Sequence, residues 1–148
     1  MQLVEQGKLN LDRDVNDYLD FQVPHTFGRP VTVKNLMTHT TGFEEVIKDL
    51  MADRPSDLPS LHAFVAAHQP NQIYAPGTIP AYSNYGANLA GYIVERVAGL
   101  PFEEYIQQNI FRPLGMTHAT FMQPLPDSLK PMVSNGYELA SEDPKPFE

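Results

Sequence analysis

Fourteen prolines in 148 residues set the terms on which this chain can fold. A proline inside a helix removes a backbone donor and clashes with the preceding turn. Long uninterrupted helices are therefore excluded, and short helices joined by turns are expected. Strand signals are weak throughout, so a mainly α reading follows. The most informative stretch runs from Pro76 to Gly99, PGTIPAYSNYGANLAGYIVERVAG. It opens on a Pro-Gly turn. Ala90, Ile93, Val94, Val97 and Ala98 then recur at helical spacing and predict one buried stripe. Gly99 suits the left-handed residue that ends a helix, and Pro101 cannot continue it. Tyr82 and Asn84 stand two apart at the mouth of this helix. A phenol and a carboxamide there suit a site that handles protons and anionic oxygens. The spacing equally fits an ordinary loop in which Ser83 or Asn84 caps the helix.

The other elements follow from caps and breakers. Met1 to Gln6 predicts a helix stub stopped by Gly7, with Leu3 and Val4 on its apolar side. A helix this short does not hold alone, since isolated helices below about 12–15 residues are marginal in water. Leu9, Leu11, Val15 and Leu19 lie in a mostly extended stretch with a single turn. Thr32 predicts the cap of a helix through Leu36 and Met37 that ends near Gly42. Residues 44 to 59, with Asp49, Asp53, Pro55, Asp57 and Pro59, read as a surface excursion. Ser60 caps a helix through Leu61, Phe64, Val65 and Ala67 that stops before Pro70. A helix over Phe102–Ile110 follows, and beyond Pro113 the chain is turn and loop. It ends on a polar, proline-broken segment, ELASEDPKPFE.

Composition narrows the function classes. Apolar content of 42% and charged content of 19% are those of a globular chain. Ten basic residues against eighteen acidic ones give a net charge of −8, which argues against nucleic acid or an anionic membrane as partner. No apolar run is long enough to span a bilayer. The absence of cysteine excludes disulfides and thiolate metal sites. His25, His39, His62, His68 and His118 form no i, i+4 pair, so no metal site is expected. His39 is read as a structural residue that hydrogen-bonds near the end of its short helix. Glu44-Glu45 and Glu103-Glu104 read as solvated faces, the second pair also suiting a first helical turn. Tyr74 and Tyr85 read as core or cleft lining.

Three blocks in order carry a resemblance. Tyr82-Ser83-Asn84, with Gly86 and Gly91 after it, resembles the Tyr-x-Asn motif of the serine β-lactamase and penicillin-binding-protein-like family, in its class C and esterase-like branch. VTVKNLMTHTTGF (Val31 to Phe43) and PFEEYIQQNIFRPLGMTHATF (Pro101 to Phe121) are similar to two further blocks of that family. The resemblance covers the chain from Met1 to about Phe121. It implies the helical lobe of an α+β β-lactamase/transpeptidase-like fold, with most of the antiparallel sheet lying elsewhere.

Two of the family's three catalytic elements are not in this chain. Ser56, Ser60, Ser83, Ser128, Ser134 and Ser141 each lack a lysine three residues on, and no Lys-Thr-Gly or His-Thr-Gly is present. MQLVEQGKLNLD resembles the tail of the helix that begins with Ser-x-x-Lys, so the nucleophile is expected upstream of Met1. Residues 1–148 are thus expected to be one partial domain, inactive alone. The resemblance implies a parent hydrolase that forms an acyl-enzyme on a β-lactam, a D-alanyl peptide or an ester, with no cofactor, in the periplasm or outside the cell. Tyr82 would relay the proton, Asn84 would hold the lysine and a substrate amide, and Ser83 and Tyr85 would border the substrate. A phenol, with an ordinary pKa of about 10, is a poor base at neutral pH unless ammonium groups lie close. The chain alone is expected to self-associate through its sheet-facing surface. The alternative is a non-catalytic binding module, a degenerate copy that keeps the cleft without the nucleophile.

Overall fold

The computed structural model describes residues 1–48, 50–52 and 54–134, and the backbone of 137–138 and 145–146. Asp49, Asp53 and most of the C-terminal ELASEDPKPFE segment lie outside the described residues. Among the described residues, five α-helices carry the architecture: α1 (Gln2–Glu5), α2 (Val33–Met37), α3 (Leu61–Ala67), α4 (Asn84–Ala98) and α5 (Phe102–Ile106). Three 3₁₀ turns stand at Val15–Asp17, Pro55–Asp57 and Lys130–Met132. Among the described residues, the strands are an antiparallel pair of two residues each, β1 (Tyr137–Glu138) and β2 (Lys145–Pro146). The chain is mainly α.

α2, α3 and α4 each start where a side chain satisfies a free backbone donor. Thr32 accepts from the Asn35 amide at 3.2 Å, and Asn35 Oδ1 accepts the Thr32 amide in return at 3.0 Å, a reciprocal cap. Ser60 accepts from Ala63 at 3.2 Å, and Ser83 from Gly86 at 3.1 Å. Left-handed glycines follow α1 and α4: Gly7 has φ 71° and Gly99 φ 68°, with the Gly99 amide bonded to Glu95 O at 2.8 Å.

α4 is the central strut and packs on α2, α3 and α5, with a lighter contact to α1. Its buried residues are Tyr85, Gly86, Leu89, Gly91, Tyr92 and Ile93. Of the expected stripe only Ile93 is fully buried. Ala90, Val94, Val97 and Ala98 form a half-buried rim against the same core. The face is rotated because two tyrosines are inside, Tyr85 as its reading as core or cleft lining anticipates and Tyr92 from outside the expected stripe. Tyr85 sends its hydroxyl to Val65 O at 3.0 Å, and Tyr92 shares its hydroxyl between both Asp20 oxygens at 3.0 Å.

Two helix ends differ from expectation. α2 stops at Met37 rather than near Gly42, because the Thr38 hydroxyl bonds Lys34 O at 2.8 Å and His39 turns left-handed at φ 52°. After α5 the chain widens into a π turn over Gln107–Phe111. There Gln2 Nε2 takes Asn109 O at 3.0 Å and the Asn109 side chain takes Tyr105 O at 2.9 Å, so side chains compete for the helical carbonyls.

The loop after α2 and the loop before α4 zip together without becoming a sheet. Gly42 O accepts from Ile73 at 2.7 Å and Tyr74 at 3.2 Å, and Thr40 O accepts from Gly77 at 2.7 Å. Gly42 has φ 78°, and a Cβ added there would lie 1.9 Å from Tyr74 O. Only glycine permits this approach.

Candidate active site

The zipped loops bring His39 onto the Tyr82 segment. The His39 carbonyl accepts from Ala81 at 2.7 Å, and its Nδ1 accepts from the Ser83 amide at 3.3 Å. One residue therefore clips the backbone on both sides of Tyr82. An accepting Nδ1 means a neutral imidazole with its proton on Nε2. The His39 ring also packs on the Tyr82 ring, centroids 4.7 Å apart and tilted 34°. His39 holds a left-handed backbone that costs a non-glycine residue about 1–2 kcal/mol, and these three contacts offset that strain.

Tyr82 stands 63% exposed. Its hydroxyl donates to Asn84 Oδ1 at 3.1 Å. Asn84 is the first residue of α4, and both of its donors go to one carboxylate: the backbone amide to Glu45 Oε2 at 2.9 Å and Nδ2 to Glu45 Oε1 at 2.7 Å. A carboxylate suits that position, because the helix N-terminus carries positive partial charge. The structure thus joins Tyr82, Asn84, Glu45 and His39 in one exposed cluster.

Ser83 and Tyr85 are placed differently. Ser83 is 1% exposed and spends its hydroxyl capping α4. Tyr85 is 2% exposed, packs edge-on against Phe43 with centroids 5.4 Å apart, and burial pushes its phenol well above the ordinary tyrosine range. Neither reaches the open surface on which Tyr82 stands: the Ser83 hydroxyl serves the helix cap and the Tyr85 hydroxyl serves Val65 O. Tyr85 instead lines a separate cavity of about 260 Å³ with Val23, Phe43 and Gln72.

Two members of the cluster escape sequence reasoning. Glu45 reads as a solvated charge, yet it bonds a residue 39 positions away. Glu44 beside it takes both Asn71 donors, at 3.3 and 2.7 Å. His39 meets Ser83 across 44 positions. No local pattern encodes such pairings; the only signal is that the THTTG block is a turn rich enough to fold back. Among the described residues no group of three or more His, Asp or Glu is arranged to hold a metal ion, and no helix is long and apolar enough to cross a membrane.

Comparison with known proteins agrees along the whole chain. The family described as Beta-lactamase matches residues 1–146. A monacolin J acid methylbutanoyltransferase of Aspergillus terreus (strain NIH 2624 / FGSC A1156) is 37% identical over 156 residues, covering 87% of this chain and 36% of that protein. The octameric penicillin-binding protein homologue from Pyrococcus abyssi superposes with a TM-score of 0.75 at 30% identity, over 99% of this chain and 35% of that one. The penicillin binding protein from Bacillus halodurans gives a TM-score of 0.74 at 31% identity, over 98% of this chain and 46% of that one. The chain spans about a third of the length of the curated relatives it matches. Its own architecture is the helical lobe of the fold those structures share.

Proposed function

The chain belongs to the Beta-lactamase family, and we propose that it supplies the tyrosine–asparagine relay of a serine hydrolase that works through an acyl-enzyme. The observation that supports this is the held but exposed Tyr82: its backbone is clipped on both sides by His39 and its hydroxyl is directed at Asn84. A buried phenol with the same partners would be a packing residue. A site that takes a proton from a nucleophile and returns it to a leaving group needs this combination of fixed geometry and open access.

In this reading the nucleophilic serine and its lysine come from sequence outside these 148 residues, as does the Lys-Thr-Gly or His-Thr-Gly element. The serine oxygen attacks the acyl carbonyl while its proton passes to the lysine–Tyr82 pair. Tyr82 then protonates the leaving oxygen or nitrogen, and water releases the acyl group by the reverse route. Asn84 orients the lysine and the acyl group. Ser83 and Tyr85 hold the motif in place. The acyl donor is a β-lactam, a D-alanyl peptide or an ester, and the parent protein acts in the periplasm or outside the cell. A penicillin-binding protein and a methylbutanoyltransferase among the similar proteins both fit acyl-group chemistry by their names. The test is mass spectrometry after treatment with a fluorophosphonate. No adduct is expected on the 148-residue chain, and one per molecule on the in-frame protein that extends upstream of Met1. An adduct on the short chain would overturn the assignment of the nucleophile.

A further inference from the structure

We propose that Glu45 is a positioning residue: it sets which end of the Asn84 carboxamide faces Tyr82, and so fixes Tyr82 as a hydrogen-bond donor. The two ends of a carboxamide are nearly the same size, and only their partners decide the orientation. A carboxylate can only accept. Glu45 takes the Asn84 backbone amide on one oxygen at 2.9 Å and Nδ2 on the other at 2.7 Å. The NH₂ end must therefore face Glu45, which leaves Oδ1 toward Tyr82 at 3.1 Å. Facing an acceptor, the Tyr82 hydroxyl donates, and its lone pairs stay free on the exposed side. With the carboxamide reversed, an NH₂ donor would face the Tyr82 oxygen and favour its ionised form, so the orientation seen here keeps the phenol protonated, as a group that returns a proton to a leaving group must be. The acceptor-only character of one exposed glutamate is thus transmitted through two hydrogen bonds to the hydroxyl that the proposed reaction uses. Its value to catalysis rests on the relay reading of Tyr82, but the coupling is measurable without turnover.

The experiment is NMR of the 148-residue chain labelled with ¹⁵N and with ¹³C at the tyrosine ring, comparing Glu45→Gln, Glu44→Gln and Asn84→Ala with the parent. Glu45→Gln keeps the side chain's size but exchanges one accepting oxygen for an NH₂ group. It is expected to lose the hydrogen-bonded shift of the Asn84 side-chain amide and to move the Tyr82 Cζ resonance toward its position in Asn84→Ala. Glu44→Gln removes the same charge one residue away, at a carboxylate that serves Asn71, and is expected to leave Tyr82 in place. If Glu45→Gln leaves the Tyr82 and Asn84 side-chain signals unmoved, or if Glu44→Gln moves Tyr82 equally, the inference is wrong. Either result stands whatever the fluorophosphonate experiment shows of the nucleophile.

Discussion

Gly42→Ala tests the contact on which the cluster depends, with Gly99→Ala as its matched control. Both glycines are left-handed, at φ 78° and 68°, so both variants carry the cost of an alanine in that region, about 1–2 kcal/mol. Both also lose the same backbone freedom in the unfolded chain, a gain that cancels in the difference. They differ in space. A Cβ at Gly99 meets nothing within 4 Å, whereas at Gly42 it falls 1.9 Å from Tyr74 O and 2.7 Å from its carbonyl carbon. That overlap cannot be relieved by a side chain turning, because the obstacle is backbone. The loops must separate, and the bonds from Ile73 and Tyr74 to Gly42 O are the first to go. At about 1 kcal/mol each, they bring the expected loss to about 3–4 kcal/mol for Gly42→Ala, against about 1–2 kcal/mol for Gly99→Ala. Folded domains have about 5–15 kcal/mol in total, so the difference is readily measured by urea unfolding followed by circular dichroism. Equal losses, within about 0.5 kcal/mol, would refute the close approach of the two loops and with it the placement of His39 on Tyr82.

Tyr92 links α4 to the loop at Asp20. Burial pushes its phenol up to about 12, and the hydrogen bond and charge of Asp20 push the same way. A raised acid favours the folded state while it is protonated, so stability is full below pH 10 and is lost as pH rises from 10 toward 12. Partial burial pushes the Asp20 carboxyl up, but the Tyr92 hydroxyl, its own backbone amide, Arg96 and His62 together outweigh this and hold it below its ordinary 3.8. That contribution is present above pH 3.8 and lost as pH falls through the lowered value. Tyr92→Phe is expected to cost about 1.5–3 kcal/mol near neutral pH, the range for hydrogen bonds to charged groups. It should also reduce the alkaline slope, leaving the part that buried Tyr85 contributes in the same direction; urea midpoints across pH that fall as steeply in the variant as in the parent would exclude Tyr92 as a source. The apolar hollow of about 280 Å³ lined by Leu3, Val4, Val33, Ala90, Val94 and Phe102 is the surface through which the isolated chain is proposed to self-associate. Sedimentation velocity is expected to show species above one chain's mass, and Val94→Glu is expected to return the monomer. A monomeric parent chain at high concentration would exclude this surface as a self-association face.

The parts of this fold that sequence discloses are those decided within a few residues. Thr32, Ser60 and Ser83 start helices, and Gly7 and Gly99 stop them, because each cap satisfies a donor or acceptor at most four residues away. Where long-range partners compete, local reading fails. The end of α2 is decided with the help of the left-handed His39, which Ala81 and Ser83 hold from more than forty residues away. The π turn after α5 is decided by Gln2, more than a hundred residues upstream. Tyr85 reads as core or cleft lining and is buried, but Tyr92 stays outside the expected stripe until Asp20 is brought to its hydroxyl. The candidate site divides the same way. Tyr82 and Asn84 are singled out by the Tyr-x-Asn resemblance, since their spacing also fits an ordinary capped loop, and their hydrogen bond spans two positions. Glu45 and His39, which hold them, come from 39 to 44 residues earlier; His39 reads as a structural hydrogen-bonding residue, but neither its partner nor that of Glu45 is encoded locally.

The measurement that bears most directly on the proposed relay is the rate of acylation by a p-nitrophenyl ester, in a protein that joins this chain to the Ser-x-x-Lys segment proposed to complete the site. Tyr82→Phe should be compared there with the parent. The phenol hydroxyl is exposed and bonds Asn84 alone among the contacts described, so its removal is expected to leave the melting temperature unchanged. Loss of a general acid–base group should slow acylation by about 10²–10⁴-fold. Acylation at the parental rate in a folded Tyr82→Phe protein would remove Tyr82 from the chemistry and leave the cluster as a structural joint between two loops.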